Sequence, residues 1–323
     1  MRVLITGGCG FIGHHFVEHF LKNTDWEISI LDKLNYASNG LQRIREIDAI
    51  DKVKIYTADF TLPISEGLET EMGEFDYIFH LGAETHVDRS IEDARPFVMS
   101  NVVGTMNMLE YARRQKNLKC FFYFSTDEVF GPAPDGVYFK EEDELNPKNP
   151  YAAAKAGGEM LVTSYANTYK LPCIITRCMN VFGECQDLEK FIPNTIKKSL
   201  NGEKVTIHSN PDKTRAGSRF YIHARNVADA YMFIVKNGKV GEKYNIVGEK
   251  EVDNLKLAQF IASVVGKPLN YEMVDFHSSR PGHDLRYAMS GDKMKQMGWE
   301  LPKNFEESLE KTIKWTLNNR RWL

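Results

Sequence analysis

Tyr151 and Lys155 stand four residues apart in Asn149-Pro150-Tyr151-Ala152-Ala153-Ala154-Lys155, a stretch that reads as the start of a helix. On a helix that spacing puts both side chains on one face. An ammonium beside a phenol favours the phenolate. A phenol so tuned accepts the proton of an alcohol while hydride leaves the same carbon. A second reactive group, Ser125-Thr126-Asp127-Glu128, follows the apolar run Lys119-Cys120-Phe121-Phe122-Tyr123-Phe124, which reads as a buried strand. Desolvation penalises charge at such a place, so two adjacent carboxylates there call for a chemical reason.

Hydride needs an acceptor, and the N-terminus supplies a site for one. Gly7-Gly8-Cys9-Gly10-Phe11-Ile12-Gly13 directly follows a short apolar strand and opens a helix, with the spacing G-x-x-G-x-x-G. Gly7, Gly10 and Gly13 permit a tight turn and close backbone approach to a pyrophosphate, which the helix N-terminus stabilises. Asp32 follows the second strand at the distance suited to an adenosine ribose. An acid there favours NAD over NADP, whose 2′-phosphate it would repel. Asp59, after the third strand, is placed to meet the adenine amino group.

These residues are carried by an alternation of strands and helices. Strands are expected at Arg2–Thr6, Glu27–Leu31, Val53–Thr57, Tyr77–Leu81, Cys120–Ser125 and Pro172–Thr176, and helices at Gly10–Lys22, Arg95–Gln115 and Pro150–Tyr169. The order predicts an α/β fold, a Rossmann-type doubly wound parallel sheet. The strands are continuous apolar runs, as strands buried on both faces are. After Cys178 the pattern loosens: a helix at Pro193–Asn201, a strand at Val205–His208, a helix at Ile222–Lys236, a strand at Tyr244–Val247, then short helices and loops. The reading is a cofactor domain over 1–178, with 220–243 packing back on it, and a smaller C-terminal substrate-binding lobe over 179–323.

Composition narrows the field. The 323 residues are 42% hydrophobic and 26% charged, with a net charge of −3, ordinary for a globular protein and without a nucleic-acid footprint. The N-terminal apolar run is short and ends in glycines, unlike a signal peptide, and no run reaches membrane-spanning length. Five cysteines, Cys9, Cys120, Cys173, Cys178 and Cys185, show neither a CxxC pair nor a metal spacing. An odd, irregular set suits reduced thiols, so the chain is expected in the cytoplasm, with no metal.

Taken together, the Gly-rich turn, Asp32, Asp59, His80-Leu81-Gly82-Ala83, Asn101, Ser125-Thr126, Tyr151 and Lys155 make the chain resemble the extended short-chain dehydrogenase/reductase family over nearly its whole length. The resemblance adds Phe11, Ile12, Leu81 and Ala83 to the NAD contacts and assigns Thr126 to orienting a sugar 4-hydroxyl beside Tyr151. Simple alcohol oxidation needs no further acid, so Asp127 and Glu128 imply a second reaction. Once C4 of a hexose is a ketone, its C5 proton is acidic. A base can remove it while an acid protonates the departing C6 hydroxyl, a scheme that needs two carboxyl groups with separated pKa values.

Thr126-Asp127-Glu128 is similar to the motif of the nucleotide-sugar 4,6-dehydratases within that family. The resemblance makes Asp127 the acid at the C6 hydroxyl and Glu128 the base at C5, with tightly bound NAD reduced and reoxidised in each cycle. It places Thr85, in the loop Gly82–Ser90, and Asn180, Glu189 and Lys190 on the nucleotide-sugar side. Arg219 and Arg280 suit a diphosphate because guanidinium forks match phosphate oxygens. Asn245 resembles a diphosphate-binding position, and His283 is expected to hydrogen-bond substrate.

The chain departs from the pattern at Phe130, at Asn210–Gly217 with Phe220 after Arg219, and at Glu184-Cys185-Gln186-Asp187. The last two leave the nucleotide open, with dTDP-glucose and UDP-glucose the substrates considered. A 4-epimerase or glucuronate decarboxylase would need Tyr151, Lys155 and Thr126 but not the acid pair. A non-enzymatic NAD-binding regulator would be expected to lose Tyr151 or Lys155. The family implies a homodimer through helices near Val102–Gln115 and Pro150–Tyr169, with apolar Met106, Met108, Leu109, Met160 and Leu161.

Overall fold

The computed structural model describes residues 1–35, 38–276 and 285–323. Its strands are, in chain order, β1 (Arg2–Thr6), β2 (Glu27–Asp32), β3 (Lys54–Thr57), β4 (Tyr77–His80), β5 (Cys120–Thr126), β6 (Cys173–Cys178), β7 (Asn180–Phe182), β8 (Val205–Ser209), β9 (Ser218–His223), β10 (Lys243–Ile246), β11 (Glu251–Asp253) and β12 (Tyr271–Asp275). Seven of them form one parallel sheet in the order β10-β6-β5-β4-β1-β2-β3. The chain starts at the centre, winds to one edge through β2 and β3, then crosses back through β4 to β10. The reversal lies between β1 and β4, and in such sheets ligands bind beyond the strand C-termini at that switch point. The loops after β1, β2, β4, β5 and β6 all open there.

The sheet is covered on both faces. On one, the helix Phe11–Asn23 buries Phe16, Val17 and Phe20 against Ile28, Phe79 and Tyr231. The helix Ala224–Asn237 brings Tyr231 to this layer. On the other, Met108, Leu109 and Tyr111 pack with Val162 and Tyr165 over Leu4, Ile78 and Phe121. A further core joins Phe182, Ile196, Leu257, Ile261, Leu309 and Ile313 beneath the smaller sheets.

Three elements differ from the periodicity. The expected helix Arg95–Gln115 is helical at Arg95–Val98 and Gly104–Arg114, but Met99–Val103 is a π-turn. It sets Asn101 to clamp Glu84, donating Nδ2 to Glu84 O at 2.9 Å and accepting Glu84 N at 2.9 Å. Such turns recur where a side chain is re-aimed for function. Ile222 and His223 belong to β9 and not to the following helix, because Ser-Arg-Phe-Tyr-Ile-His pairs with β7 and β11. The helix starts at Ala224, with His223 Nδ1 accepting Arg225 N. The C-terminal region is more regular than expected: Asn254–Val265 and Phe305–Asn318 are full amphipathic helices, capped by Asp253 and Asn304.

Candidate active site

A single cleft of about 780 Å³ runs along the C-terminal ends of the strands. Gly7, Gly10, Phe11, Ile12, Gly13 and Asp32 line one end. Thr126, Asp127, Glu128, Tyr151 and Lys155 line its middle, and Asn180, Lys190, His208, Arg219 and Phe276 its far side. Leu81, Ala83, Thr85 and Glu189 also face it.

The glycine turn is built for close approach. Gly7 has φ +68°, and a Cβ there would lie 2.7 Å from Gly82 Cα. A Cβ on Gly13 would lie 2.2 Å from Gly7 O. Only hydrogens fit these positions, so the turn stays tight and its helix N-terminus stays open for a phosphate. Asp32 accepts Cys9 N at 3.0 Å and Leu34 N at 2.9 Å, and burial raises its carboxyl pKa. These residues fit a dinucleotide. Asp59 Oδ1 accepts Thr61 N at 2.9 Å, and its neighbour Phe60 lines the cleft.

Thr126 ends β5 and caps the short 3₁₀ turn Asp127–Phe130. Its hydroxyl donates to Asp127 Oδ1 at 2.9 Å and also lies against the Tyr151 phenol. Asp127 is 4% exposed, and its Oδ2 has no hydrogen-bond partner among the described residues. Burial, reinforced by the Glu128 charge, pushes its carboxyl up to about 7. A carboxyl held protonated near neutrality beside a second, less buried carboxylate is a division of labour between acid and base. Glu128 is half-buried and accepts Asn149 Nδ2 at 2.9 Å through Oε2.

Tyr151 and Lys155 share one face of the helix Pro150–Tyr169. Burial and the Glu128 charge hold the phenol well above its ordinary range. Lys155 is pushed down to about 7 by burial, and its Nζ donates to Phe124 O at 2.5 Å. The protein alone thus does not depress the Tyr151 phenol as the spacing suggests, because burial dominates and the Glu128 and Asp127 charges add to it. His80, behind them, is held neutral by burial, its pKa lowered to about 3, between the Thr6 and Thr105 hydroxyls.

The substrate side joins elements far apart in sequence. Lys190 Nζ donates to Thr85 O at 3.2 Å, and Arg89 pairs with Glu189. Arg219 donates to Ser218 O and Leu285 O, stacks on Tyr287 and carries its charge close enough to act on Asp127. Asn245 is displaced from the expected role. It is fully buried in β10, donating Nδ2 to Phe139 O at 3.1 Å and its backbone N to Glu141 Oε1, and does not line the cleft. Arg280 and His283 lie outside the described residues. The Glu184–Asp187 departure forms a tethered loop: Arg43 donates to Cys185 O at 2.9 Å and to Asp187 Oδ1 at 2.7 Å, leaving Gln186 and Asp187 in the cleft wall. No motif marked Phe60, which lines the cleft, or Arg43, which tethers the loop beside it, since both are placed by tertiary packing.

A parallel Rossmann-type sheet with a glycine turn, an acid pair and a Tyr–Lys pair on one cleft is the arrangement of a cofactor-dependent sugar-nucleotide enzyme. The chain belongs to the GDP-mannose 4,6 dehydratase family, whose model matches residues 4–312. It is 36% identical over its full length to the dTDP-glucose 4,6-dehydratase of Escherichia coli, of which it covers 94%. The crystal structure of DesIV, the dTDP-glucose 4,6-dehydratase of Streptomyces venezuelae, determined with NAD bound, superposes with a TM-score of 0.90 at 33% identity, covering 100% of this chain and 98% of that one. The UDP-glucose 4-epimerase of Thermus thermophilus, in complex with NAD, superposes at 0.86 with 27% identity, covering 97% of this chain and 98% of that one. Dehydratase and epimerase therefore share this fold, and the side chains at the site must separate them.

Proposed function

We propose that the protein is an NAD-dependent nucleotide-sugar 4,6-dehydratase, a hydro-lyase that converts an NDP-glucose to the NDP-4-keto-6-deoxy sugar. The observation that carries this reading is Asp127, buried and held protonated to about neutrality beside Glu128 in the cleft that also holds Tyr151. dTDP-glucose is the favoured substrate, supported by the names of the similar enzymes.

NAD, when bound, would supply the hydride acceptor for C4 and the hydride donor for C6. Tyr151 takes the C4 hydroxyl proton, with Thr126 orienting that hydroxyl. Glu128 removes the C5 proton, and the electron pair forms the C5–C6 double bond as the C6–O bond breaks. Asp127 protonates the departing hydroxyl, which leaves as water. A proton returned to C5 completes the cycle, so one water is lost and there is no net redox change. Gly7, Gly10, Gly13 and Asp32 would hold the cofactor, and Arg219, with Arg280, the diphosphate.

The division into a cofactor domain through Cys178 and a following substrate lobe is part of this reading. So is a homodimer. The π-turn and the helices flanking it expose Val98, Met99 and Met106, and the helix carrying Tyr151 exposes Met160. Met108 and Leu109 are fully buried in the core and belong to no such surface. Among the described residues no helix is long and apolar enough to cross a membrane. All five cysteines are buried and unpaired, which supports a reducing compartment, the cytoplasm.

The test is mass spectrometry of the purified protein with dTDP-glucose and, separately, UDP-glucose. Loss of one water, abolished in Glu128→Gln, is the expected result. Conversion to an isomer of unchanged mass would make the enzyme an epimerase and overturn the reading.

A further inference from the structure

Glu128 is held by a side chain that no motif singled out. Asn149 is 5% exposed and immediately precedes Pro150. Its backbone is extended, φ −134° and ψ 162°, as a residue before proline prefers. That conformation makes it the N-cap of the helix Pro150–Tyr169, with Oδ1 accepting Ala152 N at 2.8 Å. The other end of the same amide donates Nδ2 to Glu128 Oε2 at 2.9 Å. Tyr151 sits two residues along, its backbone N donating to Ser90 Oγ at 3.2 Å. One planar amide thus ties the first turn of the Tyr151 helix to the Glu128 carboxylate across 21 residues of sequence.

We propose that Asn149 is a positioning residue for the elimination step. It fixes Glu128 as an oriented carboxylate at the C5 hydrogen while anchoring the turn that holds Tyr151 at the C4 hydroxyl. The inference rests on the dehydratase reading above. Two consequences of the geometry support it. A donor to a carboxylate favours the ionised form, which a base taking the C5 proton must have. Rotation of Glu128 away from the cleft would break a bond whose donor is itself locked by its cap. A serine at this position would cap the helix equally well. Its oxygen would accept Ala152 N at the cap, and its O–H, on a side chain one bond shorter, would fall short of the Glu128 carboxylate that the amide reaches.

The experiment compares wild-type holoenzyme with Asn149→Ser and Asn149→Ala in single turnovers with dTDP-glucose. It follows the near-ultraviolet absorbance of reduced nicotinamide, loss of water by mass spectrometry, and Tm. In Asn149→Ser the Tm and the oxidation rate are expected to stay at wild-type values. Its water loss slows roughly 10- to 100-fold, the effect of losing a hydrogen bond to a charged group, and reduced nicotinamide accumulates. Asn149→Ala shows the same kinetic signature with a lowered Tm. Wild-type elimination in Asn149→Ser, or equal slowing of oxidation and elimination, overturns the proposal while leaving the dehydratase in place. Failure of wild-type protein to lose water from dTDP-glucose or UDP-glucose removes the dehydratase reading and this inference with it.

Discussion

At the scale of single residues, the site sets its chemistry by burial more than by pairing. Asp127 is buried beside the Glu128 charge, with one oxygen unpartnered among the described residues, and burial foremost keeps its proton to about pH 7, against an ordinary 3.8. This has a thermodynamic cost with a definite sign. An acid whose pKa is raised by folding contributes stability that is present below about pH 4 and is lost as pH rises through about 7. Asp127→Asn removes that loss. The variant is expected to melt at the wild-type temperature in acid and above it beyond neutrality, while its water loss falls steeply; calorimetry across pH measures the first and mass spectrometry the second. A variant less stable than wild type at alkaline pH would contradict the assignment of strain to Asp127.

At the scale of elements, the sheet holds the catalytic helix from behind. Arg177 on β6 and Glu159 on the helix Pro150–Tyr169 form a pair 1% and 0% exposed, joined by Nε and Nη2 contacts as short as 2.6 Å. Arg177 also donates to Glu141 O and stacks on Phe130. Removing one member leaves the other buried and charged, at a cost of about 3–5 kcal/mol. Arg177→Met should therefore lower stability by about that amount in denaturant unfolding, with Glu159→Leu restoring much of it in the double variant. The chemistry is expected to follow the fold here: Lys155 lies one turn before Glu159, and the Glu159 charge partly opposes the burial that pushes Lys155 down.

At the scale of the whole molecule, the site is a meeting of loops from five strands with residues from the chain that follows β6. Lys190 donates to Thr85 O and Arg43 to Cys185 O, so segments 105 and 142 residues apart in sequence are tied beside the cleft. Val98, Met99 and Met106, with Met160 on the helix that carries Tyr151, are exposed apolar side chains that offer a surface for association. A homodimer through it predicts that Met106→Glu combined with Met160→Glu halves the sedimenting mass without altering the far-ultraviolet circular dichroism. A wild-type mass equal to one 37.0 kDa chain would remove the dimer.

What the sequence determined by itself was whatever rests on local pattern. Apolar runs of four to seven residues set β1 through β6 to within two residues at each end. The glycine turn and the Tyr151–Lys155 spacing are also local, because fixed spacing on a regular element is geometry. Tertiary structure alone decided what depends on the surroundings of a side chain. Asn245 was drawn into the interior by Phe139 and Glu141, and Phe60 was brought to the cleft. The π-turn at Asn101 answers a backbone in another loop, and β9 took Ile222 from a helix because β7 and β11 were there to pair with it. The state of the catalytic groups belongs to this second kind. Lys155 beside Tyr151 suggests a depressed phenol, yet desolvation raises it, since burial is a property of the assembled fold and not of spacing.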